Sequence, residues 1–212
     1  MNILEFLDYA GTFIFAVVGA LRGLKHQLDV LGVLILAVFT GLGGGIMRDL
    51  ILDINPPLAF QNESYFVICT GAALLTIFWG IKVLRWWKVV QVIDAVGLAV
   101  FSAQGALLAA KSELGPIGVV FLGTLTAVGG GVVRDLFVRE IPAILVREFY
   151  ATAAALGALV LWIGKIAGLP NEVILILGMG TTLTLRLLGM FFHWHLPRVK
   201  NLDFNPPQDS ES

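Results

Sequence analysis

Runs of apolar residues, separated by short stretches that hold most of the charges and prolines, divide the chain into seven segments: 4–22, 29–54, 63–83, 89–110, 115–138, 147–167 and 172–192. Each is near the roughly 20 residues that an α-helix needs to cross a bilayer. Asn55-Pro56-Pro57, Gly115-Pro116, Pro142 and Leu169-Pro170-Asn171 punctuate the runs, as helix-stopping residues do. The pattern predicts an all-α polytopic membrane protein with one transmembrane domain over residues 1–195. After Trp194 the apolar pattern lapses into Pro197, Pro206-Pro207 and a polar run from Gln208 to Ser212, which predicts a disordered tail over 196–212.

The segments repeat. A shift of 86 residues, without a gap, aligns Asp8 with Asp94, Gly11 with Gly97, Phe15 with Phe101, Gly19-Ala20-Leu21 with Gly105-Ala106-Leu107, Thr40 with Thr126, Pro56 with Pro142 and Gly71-Ala72 with Gly157-Ala158. Segments one to three (about 4–83) therefore recur as four to six (about 89–167), and the seventh (about 172–192) stands alone. Three spans is an odd number, so the second copy enters the membrane from the opposite side. Such inverted repeats are used by transport proteins to place a pathway around a pseudo-two-fold axis in the membrane plane.

The same shift aligns the string Gly43-Gly44-Gly45-Ile46-Met47-Arg48-Asp49 with Gly129-Gly130-Gly131-Val132-Val133-Arg134-Asp135. Three helix-weakening residues and two charges are costly inside a membrane span, so their repetition marks segments two and five as functional. The glycines either let backbones approach closely or break the helix and free polar groups toward a cavity. Three consecutive glycines point three ways around a helix, which favours the break. The residues from Ile46 onward would then form a half-helix whose N-terminus, with Arg48 one turn in, attracts an anionic group. The spacing matches neither the P-loop nor the dinucleotide fingerprint, and no strand precedes it.

Adjacent residues do not face each other on a helix, so Arg48 and Arg134 are expected to pair across helices, with Asp8, Asp94 or the opposite motif's Asp135 or Asp49. Asp8 and Asp94 are read either as carboxylates favouring a helix N-terminus or as cation contacts at each mouth. Thr12, Thr40, Ser102, Gln104, Thr124 and Thr126 could line a narrow polar path, or each could simply bond a neighbouring helix. His26, His193 and His195 sit at helix ends or loops with no ligand spacing, so no metal site is expected. No nucleophile–base pair or paired catalytic carboxylates stand out, and the chain does not read as an enzyme.

Composition narrows the class. Of 212 residues 58% are hydrophobic and 14% charged, against about 45–50% and about 25% in soluble domains. The net charge is −1 with no clustered basic face, which excludes nucleic acid as a partner. Cys69, alone in an apolar run, can form no internal disulfide. Arg22, Lys25, Lys82, Arg85, Lys88, Arg139, Arg147, Arg198 and Lys200 fall on one side of the predicted spans, and only Lys111 and Lys165 on the other. Basic loops stay cytoplasmic, so the N-terminus is expected outside and the C-terminus inside. Trp86, Trp87 and Trp194 form an inner aromatic belt in this reading.

Three plus three plus one spans with Gly-Gly-Gly-x-x-Arg-Asp in segments two and five resemble the prokaryotic members of the trimeric intracellular cation channel family, over about residues 1–192. The resemblance implies a passive, potassium-permeable channel in the cell inner membrane. It further implies a homotrimer in contact with membrane lipids, with one pore per protomer lined by kinked segments two and five. No cofactor is implied beyond permeating potassium or sodium ions and bound lipid. Animal relatives carry a Lys-Glu-Val motif and bind a phosphoinositide there; this chain has no such motif, so lipid regulation does not carry over. The family also bears a glycine-transporter label, which keeps open a carrier for glycine or a similar zwitterion. Two half-helix N-termini and two arginines would repel potassium, so Arg48 and Arg134 are assigned a structural or gating role beside Asp49 and Asp135, while cations pass along hydroxyls and backbone oxygens.

Overall fold

The computed structural model describes residues 3–84, 86–146 and 149–192. Arg85, Arg147, His193, Trp194, His195, Arg198, Lys200 and the tail 196–212 lie outside the described residues, as does the side chain of Lys82. The described chain forms α1 (Ile3–Lys25), α2 (Val30–Ile51), α3 (Leu58–Gln61), α4 (Ser64–Leu84), α5 (Trp87–Lys111), α6 (Pro116–Phe137), α7 (Ala143–Val146), α8 (Ala151–Ile166) and α9 (Asn171–Phe192). By length and composition α1, α2, α5, α6 and α9 can cross a membrane, and shorter apolar helices occupy Ser64–Gly80 and Ala151–Ile166. The one-turn helices α3 and α7, each just after a proline, were not legible in the hydropathy pattern, because four residues make no periodic signal.

The repeat extends to the turns. Gln27 and Glu113 take φ of 56° and 59°, and Asp53 and Arg139 take 57° and 56°, each pair one repeat apart. In each case the next amide bonds back across the helix end: Leu28 N to Gly23 O at 3.0 Å, Leu114 N to Ala109 O at 3.2 Å, Ile54 N to Asp49 O and Glu140 N to Asp135 O at 2.9 Å. Such Schellman ends usually place glycine at the left-handed position, and a side chain there costs on the order of 1 kcal/mol. The early stop at Ile51 follows from Asp53, which turns the chain out of α2 before residue 54.

The first bundle joins α1, α2 and α4, the second α5, α6 and α8, with α9 laid on α8 and α5. They meet where α2 crosses α6 and where α1 lies on α5. At the first crossing the glycines act as contact surfaces. A methyl group on Gly44 would overlap the Thr126 carbonyl oxygen, and one on Gly130 would overlap the Thr40 carbonyl oxygen. Gly43 faces the Gly130 backbone, and Gly129 faces Gly44 and the Met47 sulfur.

The expected half-helices are therefore corrected. α2 runs uninterrupted through Gly43, Gly44 and Gly45, and α6 through Gly129, Gly130 and Gly131. Close backbone packing accounts for the first two glycines of each motif. The third faces its own helix's arginine: a methyl on Gly45 would lie 3.7 Å from Arg48 Nη2, and one on Gly131 3.6 Å from Arg134 Nη2 and 3.2 Å from the Tyr150 hydroxyl.

Candidate functional site

The last turn of α2 carries Arg48 and Asp49, both 1% exposed. Arg48 Nε donates to Asp49 Oδ1 at 2.8 Å and Nη1 to Asp8 Oδ1 of α1 at 3.4 Å. The second oxygen of each aspartate is also used. Asp49 Oδ2 accepts from the Leu58 amide that opens α3, at 2.9 Å, and Asp8 Oδ2 accepts from the Tyr65 hydroxyl of α4, at 2.7 Å. One guanidinium and its two aspartates thus tie α1, α2, α3 and α4 together.

The second motif builds the same object at the other end. Arg134 Nε donates to Asp135 Oδ1 at 2.9 Å and Nη1 to Asp94 Oδ1 of α5 at 3.0 Å. Asp135 Oδ2 accepts from the Ala143 amide opening α7, at 2.8 Å. The second cluster departs at its tyrosine. Tyr150 precedes α8 with its buried hydroxyl beside Asp94 but outside the close hydrogen-bond geometry that joins Tyr65 to Asp8, while the Arg186 guanidinium of α9 lies 4.9 Å over the Tyr150 ring. In both clusters two aspartates hold one guanidinium; beside the second, Arg186 adds another guanidinium and Arg22 lines the adjoining cavity.

Asp8 and Asp94 are the cross-helix partners anticipated among the candidates. The expectation that neighbours cannot pair fails, because the long arginine side chain folds back and brings its Nε beside the next residue's carboxylate.

A cavity of about 10 Å³ beside the first cluster is lined by Asp8, Thr12, Gly45, Arg48, Tyr65 and Phe101 among others. One of about 10 Å³ beside the second is lined by Val18, Arg22, Trp87, Gln91, Asp94 and Arg134 among others. Each is about the size of one water. Seven residues inward from Asp8 and from Asp94, about 10 Å along each helix, come Phe15 and Phe101. Their rings are 5.2 Å apart at the centroids and both are 1% exposed. Phe15 packs against Gly97, and Phe101 against Gly11.

Of the other polar candidates, Thr12 faces the first cavity and Gln104 a larger opening above it. Thr40, Thr124 and Thr126 donate to the carbonyls four residues back, Leu36, Val120 and Leu122. Ser102 donates to the Ala154 carbonyl of α8 at 2.8 Å. Those four hydroxyls serve helices. Among the described residues no group of three or more His, Cys, Asp or Glu could hold a metal ion.

At the second mouth Glu140 clasps the end of α1, accepting from Arg22 Nη1 at 2.7 Å, with His26 Nε2 at 2.9 Å and Lys25 Nζ at 3.9 Å. Partial burial pushes its carboxyl up, but Arg22, then His26 and Lys25, outweigh this and hold it below the usual carboxylate range. A lowered folded-state value contributes stability above that range and loses it as pH falls through it. Acidifying from pH 7 to below pH 4 is expected to lower the melting temperature of the native protein more than that of Glu140→Gln. Equal shifts in a thermal scan would remove this role.

Tyr65, Tyr150 and Arg186 were missed in the sequence. Tyr150 sits one position off the strict 86-residue register of Tyr65, which hid the pair. Arg186 did leave a signal, a lone basic residue within the seventh apolar run.

A family model described as glycine transporter matches residues 5–80 and again 91–165, one match per repeat. The UPF0126 membrane protein of Deinococcus radiodurans is 43% identical over 162 residues, covering 76% of this chain and 75% of its own. The UPF0126 inner membrane protein YadS of Escherichia coli K12 is 39% identical over 197 residues, 92% of this chain and 95% of its own. Among solved structures, one described as the basis for conductance through TRIC cation channels superposes with a TM-score of 0.86 at 40% identity, covering 94% and 98% of the two chains. The TRIC trimeric intracellular cation channel orthologue from Rhodobacter sphaeroides gives 0.87 at 34%, covering 92% and 100%.

Proposed function

We propose, from the premise that the chain belongs to the glycine-transporter (UPF0126) family and shares the fold of prokaryotic TRIC channels, that it is a passive, potassium-permeable monovalent cation channel. It works as a homotrimer with one pore in each protomer. It lies in the cell inner membrane with the N-terminus and the Asp8 cluster outside and the C-terminus inside. The observation that carries the reading is the duplicated cluster, two buried carboxylates on one guanidinium at each end of a single protomer, which at the Asp8 end leaves an excess of negative charge favourable to a cation.

The carrier alternative draws less support. It placed a substrate carboxylate at free helix N-termini beside each arginine, yet α2 and α6 are continuous there and both arginines already hold two aspartates. Arg48 and Arg134 act in this reading as gating groups: conduction requires each guanidinium to loosen from helices it now ties together. In single-channel recordings Arg48→Ala is expected to change open probability several-fold and the potassium-to-sodium permeability ratio little; altered selectivity with unchanged gating would contradict the assignment. The primary test is flux in liposomes, with a potassium gradient, a potential-sensitive dye and labelled glycine in parallel. Rapid polarisation without glycine uptake is the expected result; saturable glycine uptake without current would overturn it.

A further inference from the structure

We infer that the vestibule above the Asp8 cluster is a loading site for a partly dehydrated monovalent cation, formed by Glu5, Asp8 and the amide oxygen of Gln104. Among the described residues the matching positions of the other mouth carry Gln91, Asp94 and Val18 instead, so the pore passes cations more readily from the Asp8 side. This rests on the channel reading. The vestibule is about 510 Å³ and is lined by Glu5, Asp8, Tyr9, Asn62, Tyr65 and Gln104 among others.

Gln104 is the observation that points to a ligand. Its side chain is 1% exposed; Nε2 donates to the Leu4 carbonyl at 3.4 Å, and Oε1 is buried without a hydrogen bond. Leaving such an acceptor unsatisfied is costly, because it has given up water and gained no partner. A cation relieves that cost directly, because amide and carboxylate oxygens can replace part of its hydration shell.

The repeat supplies an internal control. Under the 86-residue shift Asp8 maps to Asp94, but Glu5 maps to Gln91, Gln104 to Val18 and Leu108 to Arg22. Leu108 lines the vestibule, whereas Gln91, Val18 and Arg22 line the small cavity at the other end. At all three positions the substitution favours a cation at the Asp8 mouth: a carboxylate against an amide, an amide oxygen against a methyl, and a neutral side chain against a guanidinium. Glu140 offsets part of the Arg22 charge, but Lys25 and His26 join the same carboxylate. Pseudo-symmetric packing is thus kept while the electrostatics of the two mouths diverge.

Single channels in symmetrical potassium chloride test this without reference to the direction of insertion, through the ratio of the larger to the smaller current at opposite voltages. At 0.1 M salt the ratio is expected to be about twofold. It should fall toward one near 1 M, where the screening length shrinks from about 10 Å to about 3 Å. Glu5→Gln with Gln104→Val, which gives the first mouth the second's residues, should bring it toward one at 0.1 M, and so should Gln91→Glu alone, which leaves the first mouth intact. A linear response at 0.1 M, or a ratio that neither variant moves, overturns the loading site and leaves the channel standing. Absence of potassium current from the unsubstituted protein overturns the channel reading and the site with it.

Discussion

Alanine at Gly44 or Gly130 is expected to leave little folded protein. The added methyl meets a backbone carbonyl, Thr126 for Gly44 and Thr40 for Gly130, and a carbonyl cannot rotate aside as a side-chain tip can. Ordinary overpacking costs about 1–3 kcal/mol. Here α2 and α6 must separate along the whole crossing, so the loss should reach or exceed the top of that range. Gly45→Ala serves as a discriminating comparison, since its methyl would meet only Arg48 Nη2 at van der Waals distance. Gly71→Ala and Gly180→Ala enter open space and should be neutral or gain up to about 1 kcal/mol from helix propensity. Thermal melting of detergent-purified protein decides the matter. If the motif's purpose were helix flexibility, Gly45→Ala would damage the protein as much as Gly44→Ala, and the packing account would be wrong.

That comparison also shows where sequence reasoning ran short. The string Gly-Gly-Gly was legible as functional because it recurs at matching positions in two apolar segments, and the spans themselves were legible because hydropathy accumulates over twenty residues. What one sequence could not tell was that the two copies face each other. Once Gly44 lies under Thr126 and Gly130 under Thr40, each motif supplies the other's partner surface, and no broken helix is needed to explain it. The same blindness to pairing assigned Thr40 and Thr126 to a polar path. Their hydroxyls return to their own helices, and the side chains instead press on Gly19 and Gly105. Asp8 and Asp94 were found because a charge at a fixed repeat position is conspicuous. Tyr65 and Tyr150 were missed because aromatic residues at helix starts are ordinary, and only the fold brings them to the aspartates.

Removing the second cluster's guanidinium is expected to have the other large effect. Arg134→Met keeps most of the side-chain volume but leaves Asp94 and Asp135, which are 3% and 1% exposed, buried without the guanidinium that pairs both. Breaking a buried ion pair from one side costs about 3–5 kcal/mol, whereas replacing all charged members by neutral ones of similar shape is often close to neutral. The triple change Arg134→Met, Asp94→Asn, Asp135→Asn should therefore recover most of the melting temperature lost by Arg134→Met alone, because an asparagine at 135 can still accept from the Ala143 amide. Recovery of stability should not bring recovery of gating. The triple variant has no charged latch between α5 and α6, so its single-channel open probability should differ from that of the parent even where its melting temperature does not. If stability and open probability return together, the arginine cluster is packing alone; if they separate, holding the helices and controlling the pore are two roles of one guanidinium.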